Sequence, residues 1–325
     1  MIKMYETPFH ETNLSDSNFL VTGGAGFIGS NIVEYLIKFG AGKVRVVDNL
    51  SNGYYKNIQP FINKPNFEFI EGDIRDIENI KKAMNDIHYV SHQAALGSVP
   101  RSIKDPVLTN EVNISGFLNV ITCAKEETSV KRMVYAASSS TYGDYPGLPK
   151  TEDRIGKPLS PYAVTKYVNE LYADVFHKLY GFQSIGLRYF NVFGPKQSPD
   201  NPYAAVIPLF IKAARQNEAP VIFGDGETSR DFTFVENVVQ ANIKALLHAE
   251  INKSEIINIA CGESTSLNKL WELIAEFTGR EQTPLYKEER KGDVKHSLAD
   301  ISKAKAILGY APSINIEEGI SKMLN

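Results

Sequence analysis

An α/β fold, with a doubly wound parallel sheet and a smaller mixed lobe, is predicted by three features of this 325-residue sequence. Short apolar strands alternate with amphipathic helices up to about residue 190, a glycine-rich turn joins the first strand to the first helix, and the regularity breaks after Asn191. Alternation of this kind places helices on both faces of a parallel sheet.

The elements follow in order. Asn18 to Thr22 reads as a strand, Phe27 to Phe39 carries apolar residues at helical spacing, and Lys43 to Asp48 is a second strand. Strands at 67–73, 86–93 and 131–138 follow, separated by helices near 76–85 and 106–125. A long helix runs from about Pro161 to Leu179, and 182–189 returns to strand. Beyond it Pro195, Pro199, Pro202 and Pro208 interrupt the pattern, and short strands such as 219–223 mix with helices at 235–249 and 266–278. The expected organisation is a polar arm over 1–17, the doubly wound domain over 18–190, and a lobe over 191–325 that covers the carboxyl edge of the sheet and returns some segments to it.

Composition excludes several classes. With 43% hydrophobic and 22% charged residues and a net charge of -3, the chain has no basic excess for nucleic acid. Cys123 and Cys261 are far apart and near no histidine cluster, so neither a metal site nor a disulfide is expected, and the cytoplasm is the natural compartment. Glu6, His10, Glu11 and Asp16 occupy the opening segment where a secretory leader needs an apolar core, and no run is long enough to span a bilayer.

The stretch TGGAGFIGS places Gly23, Gly26 and Gly29 between a strand and a helix. Such glycines allow a tight turn, close approach of backbone to a pyrophosphate, and close helix–strand packing. The helix start at Phe27 and Ile28 then offers N–H groups to the anion. Asp48 ends the second strand, about 20 residues on, where a carboxylate binds ribose hydroxyls and repels a 2'-phosphate; NAD is therefore expected over NADP. Asp73 and Ile74, with Gln93, Ala94 and Ala95, end the next two strands, and Asp73 is placed to meet the adenine amino group.

SPYAVTK sets Tyr162 and Lys166 one helical turn apart on one face. A phenol with a pKa of about 10 is a poor base, but a nearby ammonium favours phenolate. Such a tyrosine can take a proton from a sugar hydroxyl while hydride leaves the same carbon for NAD. Just upstream, YAASSSTYGD ends a strand in four consecutive hydroxyls, Ser138 to Thr141, which a simple turn also explains.

These motifs, with RYFNVFG at 188–194, resemble the extended short-chain dehydrogenase/reductase family of nucleotide-sugar enzymes, a Rossmann-type fold with a UDP-sugar-binding lobe. HQAALGSVPRS, AASSSTYGD, LSPYAVTKY, YAAVIP, GDGETSRDF and GDVKHSLAD resemble, more narrowly, the bacterial UDP-N-acetylhexosamine 4-epimerases of polysaccharide and O-antigen pathways. The resemblance implies Ser138, Tyr162 and Lys166 as catalytic residues. It adds Asn49, Ser51, Gly53, Asn113 and Phe190 to the cofactor contacts. It also implies Gly97, Ser98, Ser139, Ser140, Asn191, Gln197, Ala205, Val206, Phe223, Arg230, Arg290, Asp293 and Ser297 around the UDP-sugar substrate. Lys166 is expected to hold the nicotinamide ribose and lower the Tyr162 pKa.

In related 4,6-dehydratases an Asp-Glu pair occupies the positions of Ser139 and Ser140, so elimination of water is not expected here. Ser297 stands where galactose-type relatives carry tyrosine, and Gly97 where they carry lysine; both leave room for a 2-acetamido group. His296 reads as a rim residue. Uronic-acid and non-acetylated UDP sugars, and a non-catalytic NAD-binding regulator, are the competing readings. The helices near 106–125 and 161–179 are expected to pair two subunits into a homodimer.

Overall fold

The computed structural model describes residues 4–199, 205–248, 251–280, 282–289 and 294–324. A seven-stranded sheet is built from β1 (Asn18–Thr22), β2 (Lys43–Asp48), β3 (Phe67–Glu71), β4 (Tyr89–His92), β5 (Arg132–Ser138), β6 (Ser184–Tyr189) and the strand Glu255–Ile259. Every pairing is parallel, in the order Glu255–Ile259, β6, β5, β4, β1, β2, β3. The order reverses between β1 and β4, and an open α/β sheet leaves a crevice at the carboxyl ends of its strands there.

The helices are α1 (Phe27–Lys38), α2 (Ile77–Met84), α3 (Val99–Lys104), α4 (Pro106–Asn110), α5 (Gly116–Glu126), α6 (Pro161–Tyr180), α7 (Val206–Gln216) and α8 (Val235–Leu247), followed by three more in the described residues. Two cores flank the sheet. Ile32 and Leu36 of α1 meet Val238 and Leu246 of α8 in one; Ile80 of α2, Phe117 and Ile121 of α5 and Ala173 of α6 form the other. Each fully buried large aliphatic or aromatic side chain contributes about 1.5–3 kcal/mol. None of the described helices is long and apolar enough to cross a membrane.

Local signals set the helix that carries Tyr162. Ser160 accepts from the Ala163 N–H at 3.1 Å, Pro161 opens the first turn, and Gly181 ends the helix at φ 67. The single helix expected over 106–125 is instead α4, a π-helical turn at Glu111–Ser115, and α5. That wider turn aims Asn113 inward, a device often found beside functional sites.

Residues 4–17, read as a polar arm, are tied to the rest of the fold by a few apolar residues. Met4, Tyr5 and Leu14 are buried in the α1/α8 core. The Tyr5 N–H donates to Glu236 Oε1 at 3.0 Å, its hydroxyl donates to the Asn31 carbonyl at 3.2 Å, and Phe9 stacks on Tyr35. In the lobe, Val221–Phe223 pairs with Leu285–Lys287 and Ser229–Arg230 with Thr265–Ser266, while Glu255–Ile259 rejoins the main sheet beside β6.

Candidate active site

Three neighbouring cavities share lining residues. The first, about 420 Å³, is lined by Gly23, Gly26, Phe27, Ile28, Gly29, Asp48, Asn49, Ser51, Gly53, Asp73, Ile74, Gln93, Ala94, Ala95 and Gly97, and reaches Ser138, Tyr162, Lys166 and Gln197. A second, about 640 Å³, lies in the lobe against Ala205, Val206, Phe223 and Arg230. The third, about 570 Å³, is bounded by Ser138, Ser139, Ser140, Phe190, Arg230, His296 and Ser297. Asn191, at φ 34, borders all three. Arg290 and Asp293 lie outside the described residues.

The glycine turn is as tight as its sequence suggests. Gly23 has φ 70, and a β-carbon there would stand 2.6 Å from the Ala94 nitrogen; one at Gly29 would stand 2.2 Å from the Gly23 carbonyl oxygen. Asp48 accepts from the N–H groups of Ala25 and Leu50, each at 2.9 Å, while burial pushes its carboxyl upward against those bonds. Asp73 is held down to about 2 by the Arg75 guanidinium, and Asn49 also donates to it at 2.9 Å.

Ser138 accepts from the Ser140 N–H at 3.2 Å and from its hydroxyl at 2.9 Å. Lys166 is buried, donates to the Ala136 carbonyl at 2.8 Å, and lies 5.9 Å from the Tyr162 ring centroid. Desolvation pushes Lys166 down to about 8. Burial raises the Tyr162 phenol, and the Ser138 hydroxyl opposes the rise.

Three further expected contacts are placed differently. Asn113 is not among the residues lining the first cavity; its amide donates to the Leu96 carbonyl at 3.2 Å and to Thr165 Oγ1 at 3.1 Å, and its oxygen accepts from the Leu96 N–H at 2.8 Å. It thereby holds the loop before Gly97 against the Tyr162 helix. Phe190 borders the third cavity, and its N–H donates to the Ile259 carbonyl at 3.1 Å. Ser98 is used as a cap, accepting from the Arg101 N–H at 3.2 Å with its own backbone at φ 134.

Residues 19–260 match the model of the NAD dependent epimerase/dehydratase family. The chain belongs to that family. It is 39% identical over 308 residues to the putative UDP-glucose 4-epimerase of Methanocaldococcus jannaschii, covering 94% of this chain and 97% of that protein. The structure of UDP-N-acetylglucosamine 4-epimerase from Methanobrevibacter ruminantium, in complex with UDP-N-acetylmuramic acid, is similar at TM-score 0.90 and 42% identity, over 95% of this chain and 97% of that one. UDP-glucuronic acid 4-epimerase from Bacillus cereus, in complex with UDP-glucuronic acid and NAD, is similar at TM-score 0.88 and 32% identity, over 94% of this chain and 98% of that one. The three names differ in the sugar and agree on 4-epimerisation of a UDP sugar. The enzyme is thus an NAD-dependent member of the UDP-sugar 4-epimerases.

Its own residues fit the dinucleotide. No side chain caps the start of α1, so its first N–H groups face the cleft. Gln197, on the same cleft, carries a buried Oε1 with no hydrogen-bond partner.

Two residues of the site escaped sequence reasoning. Lys196 lines the cleft and ties it to α1 through Glu34 at 2.7 Å and the Ser30 carbonyl at 3.0 Å; a loop lysine carries no periodic signal. His92, at the end of β4, pairs with Thr22 Oγ1 at 2.7 Å and is pushed down to about 3 by burial and by Lys166. The imidazole is therefore neutral beneath the lysine charge.

Proposed function

We propose that the enzyme interconverts UDP-N-acetylglucosamine and UDP-N-acetylgalactosamine through a 4-keto sugar, as a precursor step for polysaccharide. Room at the sugar carries this reading. A β-carbon at Gly97 would have no atom within 4 Å, and Ser297 presents only a short hydroxyl side chain to the third cavity. Bulkier residues at these places would occupy the space of a 2-acetamido group.

NAD, held by the Gly23–Gly29 turn, Asp48 and Lys166, would supply the hydride acceptor and donor for C4 of the sugar. Tyr162 takes the proton of the 4-hydroxyl. Burial works against its phenolate, and Ser138 counters by donating to it. Ser138 is free to donate because Ser140 already supplies both bonds its oxygen accepts. Lys166, held by the Ala136 carbonyl, keeps a positive charge beside the phenol and grips the nicotinamide ribose. Ser139 and Ser140 do not titrate near neutrality, so water is not eliminated.

Asn191 and Arg230 take the diphosphate where the cavities join, the guanidinium suiting phosphate geometry. Ala205, Val206 and Phe223 hold the uracil in the lobe. Arg290 and Asp293 complete the nucleotide site in this reading. The third cavity leaves the keto sugar space to turn about its link to the diphosphate.

Incubation with UDP-N-acetylglucosamine and no added cofactor, followed by separation of the epimers, tests the reading. A mixture of both is expected. Preferential turnover of UDP-glucose or of a UDP-N-acetylhexosaminuronic acid would replace the substrate, and bound NAD without any turnover would mark a regulator.

A second copy pairs with the first across α4 and α6 in this reading. Val107, and Leu171, Val175 and Leu179 at successive turns of α6, are exposed and apolar. Light scattering at micromolar concentration should give a dimer; a monomer would remove the pairing.

A further inference from the structure

The third cavity has two unlike sides. Ser138, Ser139 and Ser140 make a hydroxyl floor. Val99, Ile103, Leu159 and Val294 also line it and are 39, 64, 55 and 40% exposed, with Pro100 between the first two. They come from three separate stretches of chain: α3, the residue before the α6 cap, and the segment leading to Ser297. Single exposed aliphatics are ordinary, but several converging on one cavity mark an apolar ligand surface. The turn at Ser98, at φ 134, swings α3 so that its valine and isoleucine face this space.

A hexose offers such a flank almost nothing, and an acetamido group offers one methyl. We propose that the flank binds the acyl chain of an N-acylated sugar and accepts acyl groups longer than acetyl. Val99, Ile103, Leu159 and Val294 are then specificity-determining residues, and the substrate class is UDP-activated 2-acylamino-hexoses with apolar acyl chains. The proposal rests on the N-acetylhexosamine reading of the same site.

The test compares kcat/KM for UDP-glucosamine carrying N-acetyl, N-propionyl, N-butanoyl and N-glycolyl groups, with UDP-glucose alongside. N-propionyl and N-butanoyl substrates are expected to match or exceed N-acetyl, by up to roughly fourfold for each added methylene that is buried. N-glycolyl, of similar size but polar, is expected to fall below N-propionyl. In I103S and V294S the ratio of N-propionyl to N-acetyl turnover should drop at least severalfold, and circular dichroism should remain that of the parent.

Turnover of N-acetyl with a steep loss at N-propionyl overturns the acyl-chain proposal and leaves the parent reading intact. An unchanged ratio in both variants also overturns it, assigning the aliphatic flank to another partner such as a second subunit. Turnover of UDP-glucose with none of any N-acyl substrate overturns the parent reading and the proposal together.

Discussion

Arg188 grips Glu170 through two hydrogen bonds of 2.9 and 2.7 Å, with the side chains only 3 and 6% exposed. Glu170 follows Tyr162 and Lys166 at intervals of four on α6, so the pair pins the reacting face of that helix to β6. Arg188 also lies 4.8 Å from the Tyr142 ring centroid and donates to the Glu152 carbonyl at 3.2 Å. Breaking a buried pair by removing one partner leaves a charge without compensation. R188M or E170Q alone should therefore lower stability by about 3–5 kcal/mol in urea unfolding. The double variant R188M/E170L should recover a large part of the loss.

In the proposed mechanism Ser138 and Ser140 act in series. S138A should fold and keep NAD, while turnover falls by roughly two to three orders of magnitude. Because Ser138 lowers the Tyr162 phenol, its removal raises that group further. The rising limb of the pH–rate profile should move to higher pH, since phenolate then forms later. S140A should move the limb in the same direction by less, because the backbone N–H of Ser140 still occupies one acceptor site of Ser138. A pH profile of kcat for each variant checks both expectations.

Two glycines separate a backbone demand from a space demand. G29A would force a β-carbon to 2.2 Å from the Gly23 oxygen, so the purified variant should carry little or no NAD, measured by absorbance of the released cofactor. G97A meets nothing within 4 Å and should leave stability within about 0.5 kcal/mol of the parent.

S297Y tests the proposed sugar pocket by size. Turnover of UDP-N-acetylglucosamine should be lost while some UDP-glucose turnover remains, and an unchanged preference would remove Ser297 from the specificity account.

Asp231 should leave a pH signature in stability. It accepts from the N–H groups of Cys261, Gly262 and Ala299, yet burial raises it to about 7. An unfolded aspartate titrates near 3.9, so between about pH 4 and 7 the folded state holds the extra proton. Stability contributed by this group therefore falls as pH rises across that window, by roughly 3–5 kcal/mol in total. D231N should be less stable, having lost an acceptor oxygen, but its unfolding free energy should be flatter over the same range.

Much of the architecture was legible because its signals are local. Alternating apolar runs, the Gly23–Gly29 turn, Asp48 ending β2 and the Ser160-Pro161 start of α6 each depend on neighbours in sequence. Those features determine a doubly wound sheet with a dinucleotide turn at its switch point, and they bring Tyr162 and Lys166 onto one helical face. Tertiary structure decided what depends on burial and on partners distant in sequence. It buried Tyr5 within a segment read as a polar arm, spent Asn113 on Leu96 and Thr165, set Phe190 on the third cavity, and raised the Tyr162 phenol by desolvation. Spacing places a lysine one turn from a tyrosine; how much water reaches either is set by the strands and helices packed around them. The four hydroxyls after β5 divide in the same way: their presence is sequence, but only the folded turn lets Ser140 donate twice to Ser138.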